Sequence, residues 1–282
     1  MDNRIVEVKK SIGRMKDIPT LSQVSLRLVR LLNKENASLT ELSEIIKFDQ
    51  SLAERVVGVA NSPFFGYPGR INSIEQALLM LGFNLAKSIA LGVSIFHSFN
   101  VDPKSLRNLW IHSYSVAVMA EMFCKNVPVS NRNVCFLSGL LHDIGRIILL
   151  KHYSADKYRE IHAQLCCLSG DDLDAAEMQN FGCSHSQTGK WFLEQLSFPD
   201  EIVLSVQNHH LLDQDTRHKG IVTLVYLAEG IVSEISPEYC SDSEWTPKHQ
   251  ELFAGLGFEQ VHKDEFRSRI EQERGFIESF MS

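Results

Sequence analysis

Gly139-Leu140-Leu141-His142-Asp143-Ile144-Gly145-Arg146 sets an imidazole and a carboxylate side by side in an otherwise apolar helical run. Such groups are costly to bury unless they are paired, hydrogen-bonded or bound to a metal. A divalent transition metal (Fe, Mn, Ni or Zn) accounts for both residue types, because neutral histidine and aspartate suit these ions, whereas an all-oxygen Ca or Mg cage does not call for histidine. A hydrogen-bonded core histidine, with Asp143 as a helix cap, is the other reading of an isolated pair. This pair has company: His112, His185, His209, His210 and Glu229 are dispersed over the helices and loops on either side. Helical bundles build metal centres in this way, from inward-facing side chains on different helices.

Working outward toward the N-terminus, Asp102-Pro103 has the form of a helix start, a capping carboxylate followed by proline at the first helical position. It marks the expected boundary between an N-terminal lobe, residues 1–101, and a C-terminal lobe, residues 102–282. The helix it opens carries Leu106, Leu109, Trp110, Val116, Met119 and Phe123 at core spacing, with His112 on or near that side. The first hundred residues read as short helices. Leu21, Val24, Leu28, Leu31 and Leu32 form one apolar stripe; Ser38-Leu39-Thr40-Glu41 has the form of a capping box; Asp49 caps a helix bearing Leu52, Val56 and Val59. Asn61 to Gly69 is the densest turn region, with two prolines and two glycines around three aromatics. Ser73 and Asn84 open two more helices.

Toward the C-terminus, residues 151–167 form a mixed helix and Gly170-Asp171-Asp172 reads as a turn. Gly182 interrupts a helical pattern, Phe198-Pro199-Asp200 separates two helices, and residues 211–220 form a polar loop. The tail from Trp245 onward, with Phe253, Phe258, Phe266, Phe276 and Phe280, reads as one or two amphipathic helices. No alternating strand pattern stands out, so the fold class is all-α, a two-lobed helical bundle.

Composition narrows the function. The chain has 282 residues, 44% apolar and 22% charged, which describes an ordered globular protein. No apolar run reaches the ~20 residues of a membrane helix, and Met1 to Glu7 lacks the apolar core of a secretory signal; the expected location is cytoplasmic. A net charge of −7 disfavours indiscriminate nucleic-acid binding, which needs a basic face. The six cysteines show no Cys-x-x-Cys spacing and read as reduced thiols.

Four segments carry a family resemblance: Ile18-Pro19-Thr20-Leu21-Ser22-Gln23-Val24, then 45–53, then Val59-Ala60-Asn61-Ser62-Pro63-Phe64-Phe65-Gly66, then Ile71-Asn72-Ser73-Ile74-Glu75-Gln76-Ala77. Together they resemble the HDOD domain, an all-helical output module of bacterial signalling proteins related to the HD superfamily. The order of the polar residues, His112, His142-Asp143, His185, His209-His210 and Glu229, is similar to that superfamily of metal-dependent phosphohydrolases. The resemblance implies that His112, His142, Asp143 and Glu229 form one metal set. It implies that His185, His209 and His210 hold a second ion, with Asp143 between the two. Arg146 would then hold a phosphate oxygen. Glu229 stands where the superfamily has an aspartate, and no glycine-tyrosine-proline signature follows His210.

Two functions follow from this reading. One is a signalling module with a retained metal site, acting through contacts with a protein partner. The other is a metal-dependent phosphohydrolase taking a small phosphorylated ligand, with Asp143 and Arg146 as catalytic residues.

Overall fold

The computed structural model describes residues 3–14, 21–34, 36–66, 69–99, 103–127, 132–153, 155–165, 168, 170–210, 212, 219–235 and 244–280. Their regular structure is helical throughout, with no strand among them. In chain order the helices are α1 (Asn3–Arg14), α2 (Gln23–Leu32), α3 (Leu39–Lys47), α4 (Gln50–Ala60), α5 (Ile74–Leu81), α6 (Phe83–Ser98), α7 (Pro103–Asn126) and α8 (Cys135–Leu141). They continue as α9 (Ile144–Tyr153), α10 (Ala155–Leu165), α11 (Gly170–Phe181), α12 (His185–Gln195), α13 (Asp200–Asn208), α14 (Lys219–Ile235), α15 (Pro247–Gly255) and α16 (Gln260–Phe280). None of the described helices is long and apolar enough to cross a membrane.

Local sequence sets most of the helix starts in the first half. The Ser22, Ser38, Asp49 and Ser73 side chains accept the backbone N–H groups of Ser25, Glu41, Leu52 and Gln76 at the first turns of α2 to α5, which satisfies donors that the helix itself leaves orphaned. Glu41 turns to Lys34 at 2.8 Å instead of back to its own cap. Asn61 closes the turn region: its amide donates to the Ile71 carbonyl at 2.7 Å and its side-chain oxygen accepts from Ile71 N at 3.0 Å. Phe64 is thereby buried beneath the short 3-10 turn Pro63–Phe65. Tyr67 and Pro68 of this region lie outside the described residues, as does Asp102 ahead of α7.

One apolar core runs from Val8 to Ile277. Helices α2 to α6 pack on one another; α7 runs alongside α8, α14 and α16; α12 lies across α9 and α13. Helix α1 precedes the N-terminal helices in sequence but packs against α9 and α12. Arg4 donates to the Gln179 carbonyl of the adjacent α11 at 2.7 Å, and the Lys9 ammonium sits 4.3 Å from the Trp191 ring centre of α12. The far end of α2 also reaches across, with Asn33 Nδ2 donating to the Ser197 carbonyl at 2.7 Å. At the C-terminus, Phe253, Phe258 and Phe266 of the α15–α16 region cluster around Phe123 of α7.

Five local expectations change. His142 and Asp143 do not continue a helix; they form the break between α8 and α9. Residues 151–165 divide between α9 and α10 instead of forming one helix, with Ser154 outside the described residues. Gly170-Asp171-Asp172 begins α11. Helix α6 begins at Phe83, because Gly82 at φ +74° supplies the sharp entry. Of the expected 211–220 loop, Lys219 and Gly220 open α14, and residues 211 and 213–218 lie outside the described residues.

Candidate metal centre

Five stretches of chain deliver the centre. Helix α7 brings His112, the α8–α9 break brings His142 and Asp143, the first residue of α12 is His185, His209-His210 follow α13, and α14 brings Glu229. Glycine makes the approach possible at two crossings. A Cβ on Gly139 would lie 2.8 Å from Ala117 Cα, so α8 and α7 touch backbone to backbone. A Cβ on Gly145 would lie 1.9 Å from the His185 carbonyl oxygen, so only glycine lets α9 set Asp143 beside the start of α12. The break at 142–143 adds the orientation. Successive residues of an unbroken helix point about 100° apart, whereas here His142 Nε2 and Asp143 Oδ2 lie 3.5 Å from each other.

The seven residues expected to meet do meet. His112 Nε2 is 3.9 Å from Asp143 Oδ2, while His185 Nε2 and His209 Nε2 are 3.3 and 3.7 Å from Asp143 Oδ1. His185 Nε2 is 3.2 Å from both His209 Nε2 and His210 Nε2. His210 Nδ1 is 3.7 Å from Glu229 Oε1. His112, His142 and Glu229 offer ligand atoms within 4.8 Å of one another, as do His185, His209 and His210. Asp143 therefore presents one oxygen to each group of histidines.

The donor chemistry fits a metal. His142 Nδ1 and His209 Nδ1 each face a backbone carbonyl, of Gly139 and Val206, at 2.7 Å. A carbonyl only accepts, so both Nδ1 atoms carry the proton and both Nε2 atoms turn lone pairs into the centre. His142 Nε2 is buried and makes no hydrogen bond. Metal–nitrogen bonds of about 2.0–2.1 Å in tetrahedral geometry put ligand atoms roughly 3.3 Å apart, close to the 3.2 Å that separates His185 Nε2 from His209 Nε2 and from His210 Nε2. Burial and the neighbouring imidazoles push His209 and His210 well below the ordinary histidine range, which keeps them neutral and able to ligate. Burial opposes ionisation of Asp143, but the Arg146 guanidinium and the His142 imidazole outweigh it and hold the carboxyl well below its usual range.

Arg146 is no surface arginine. It is buried, with Nε 2.9 Å from Asp143 Oδ1. Glu177 was not expected here. Fully buried on α11, it accepts from His185 Nδ1 at 2.6 Å and from the His185 backbone N–H at 2.7 Å. Burial would lower the His185 pKa, yet the Glu177 carboxylate raises it on balance. This contact leaves His185 Nε2 to face the centre and has the form of a carboxylate–histidine–metal relay. Asp174 stands 3.8 Å from the same Nδ1 and accepts from the Ser186 hydroxyl. The only sequence signal for Glu177 is its place one helix ahead of a histidine that itself needs orienting.

Comparison with known proteins places the arrangement. An HDOD domain family model matches residues 18–212. An uncharacterised protein of Treponema pallidum (strain Nichols) is 22% identical over 222 residues, which make up 76% of this chain and 42% of that protein; the chain spans less than half that relative's length. Among solved structures, a candidate signal transduction protein of Marinobacter aquaeolei VT8 superposes with a TM-score of 0.76 at 21% identity, covering 99% of this chain and 66% of its own. A candidate phosphohydrolase of Shewanella amazonensis SB2B gives 0.74 at 17% identity, covering 96% and 98%. An HDOD domain protein of unknown function from Geobacter sulfurreducens gives 0.70 at 20%, covering 98% of each. At these identities the solved structures establish the fold, and the family match covers more than half of the chain: it belongs to the HDOD domain family.

Proposed function

We propose that this chain is a bacterial signal-transduction module that acts through contacts with a protein partner. In this reading its seven converging side chains hold one or two divalent transition-metal ions, Fe, Mn, Ni or Zn, in support of the fold. The observation that carries the reading is enclosure: His142, His185 and His209 are 0% exposed, Asp143 and Glu229 1%, and His210 8%. Structural metal sites are closed, whereas catalytic ones keep a coordination position open to water and substrate. A metal bound only by the native state adds its binding free energy to folding. The family match and the signal transduction protein of similar fold support the same reading.

A second reading, a metal-dependent phosphohydrolase acting on a nucleotide or other phosphoester, is favoured by one observation, Arg146 beside an aspartate that faces two histidine groups. The ions, when bound, would polarise a phosphoryl oxygen and acidify a coordinated water. Asp143 would orient the two groups, Glu177 would fix the His185 ring, and Arg146 would supply a fixed positive charge for a phosphate oxygen.

The deciding experiment is elemental analysis of protein purified without added metal, joined to a phosphoester panel with and without Mn or Fe. The module predicts near-stoichiometric metal with no turnover. Turnover abolished in Asp143→Ala would establish the hydrolase, and metal-free protein that takes up none would end both assignments.

A further inference from the structure

Cys124 and Cys135 face each other where the chain passes from α7 to α8. Cys124 lies in the last turn of α7, Cys135 is the first residue of α8, and their Sγ atoms stand 2.8 Å apart. Both are buried, at 1% and 0% exposed. We infer that this pair is a reversible oxidation site, at which a peroxide joins the two thiols into a disulfide that clips α7 to α8.

A disulfide forms only where the backbones already hold two sulfurs close. Here the packing does so. Helices α7 and α8 touch backbone to backbone at Ala117 and Gly139, two helical turns before Cys124 on α7 and one turn after Cys135 on α8. The same close approach brings the thiols together, and a bond of about 2.05 Å asks the sulfurs to move by only about 0.8 Å. Buried thiols are also ordinary core packing, as Cys183 shows by meeting the Thr188 hydroxyl at 3.4 Å. Cys124 and Cys135 differ in meeting a second sulfur. Burial decides which oxidant acts on them. Hydrogen peroxide is small and uncharged, and reaches a buried thiol when a helix end opens briefly. Helix α8 offers such an end, because Val134 ahead of it makes no side-chain cap, whereas serine or aspartate caps the starts of α2 to α5. The chemistry balances. One sulfur, deprotonated while the end is open, attacks a peroxide oxygen; the O–O bond breaks, leaving a sulfenic acid, and the departing hydroxide takes the thiol proton to become water. The second sulfur attacks the first, the S–O bond breaks, and a second water leaves with the remaining proton. Two electrons pass from the sulfurs to the peroxide, and a dithiol reductant returns them. The clip joins the helix that carries His112 to the one that leads into His142-Asp143. Neither sulfur is among the seven converging side chains, so the inference does not rest on a bound metal.

The test treats the full-length reduced chain with hydrogen peroxide, alkylates the remaining thiols and maps the peptides by mass. Expected are a linked peptide pair holding Cys124 and Cys135, lighter than its reduced parts by two hydrogen atoms, and its reversal by dithiothreitol. The linked chain should melt several degrees higher than the reduced one, because the bond restricts the unfolded chain. Cys135→Ala should lose both the linked peptide and the rise, and Cys183→Ala should keep both. Four results would each overturn the inference: Cys124 and Cys135 still open to alkylation after peroxide, linkage of either to Cys166, Cys167, Cys183 or Cys240, a linked chain that melts no higher than the reduced one, or an equal rise in Cys135→Ala. The peptide map of the parent chain stands whether or not the variants fold.

Discussion

The metal centre and the groove that Ser22, Ser94, Ser98 and Arg55 line between α2, α4 and α6 are both polar clusters in a helical protein, yet they are built on opposite terms. At the centre, seven charged or ligating side chains are sealed from water, held apart by 3.2 to 3.9 Å, and leave acceptor atoms such as His142 Nε2 without hydrogen bonds. At the groove, hydroxyls are already bonded to one another and Arg55 has Asp49 and Ser51 beside it. The sealed cluster is high-stakes, because removing any part strands a buried charge. The second cluster is cheaper to alter at its exposed rim, Ser51 and His97, where water replaces whatever is lost. Enclosure, more than residue type, decides how much each polar group matters to the fold.

The strongest challenge to that contrast is Gly145→Ala, which forces a methyl into the His185 carbonyl. The expected loss is about 3 kcal/mol by denaturant unfolding, together with loss of bound metal by elemental analysis. Gly255→Ala, where a Cβ meets nothing within 4 Å, serves as the control. A Gly145→Ala protein as stable and as metal-rich as the parent would mean that the α9–α12 crossing is loose.

A slightly smaller effect is expected at Glu273, buried on α16 beneath the Pro63–Phe65 turn. Burial pushes its carboxyl up from 4.5 to about 7, against the pull of the Ser62 hydroxyl, the Phe64 backbone and Arg269. Below pH 4.5 both folded and unfolded chains hold the proton. Between 4.5 and 7 the unfolded chain releases it first, so stability falls with rising pH, by about 2–3 kcal/mol in all. Subtracting the pH-dependent melting curve of Glu273→Gln from that of the parent should isolate this slope. A difference that is flat from pH 4.5 to 8 would show that water reaches the carboxyl and that Glu273 does not behave as a sealed group.

The least effect belongs to the open side. Lys34→Ala removes an ion pair with Glu41 in which both side chains are more than a third exposed, and the change should stay within about 0.5 kcal/mol. A loss above 1 kcal/mol would erase the distinction that the other two variants sharpen.

The same contrast explains what could be read from letters. His142-Asp143 announced the centre because a buried polar pair is anomalous in an apolar run, and the spread of His112, His185, His209, His210 and Glu229 repeated the anomaly. Caps at Ser38, Asp49 and Ser73 were legible because they act within one turn. Glu177 was not, since an acid on a mixed helix looks solvated until the fold closes over it. Nor was the groove: Ser22 and Asp49 read as caps, while Ser51, Arg55, Ser94 and His97 are ordinary surface residues until α2, α4 and α6 meet. The helix break at 142–143 escaped because no glycine or proline marks it, and it follows from the long-range fit of Gly145 against His185.

Helix α1 docks on α9 and α12, and α7 departs from the same body, so the chain between them leaves and returns to one platform. The α2–α6 unit is thus tethered at both ends and pinned again at Asn33–Ser197. A unit held at both ends, at Asn33–Ser197 and along the packing of α6 on α8 cannot swing like a hinged arm. Any message it carries must travel as a small sliding shift of packed helices, with the Asn33 contact as the place where such slippage would first be felt.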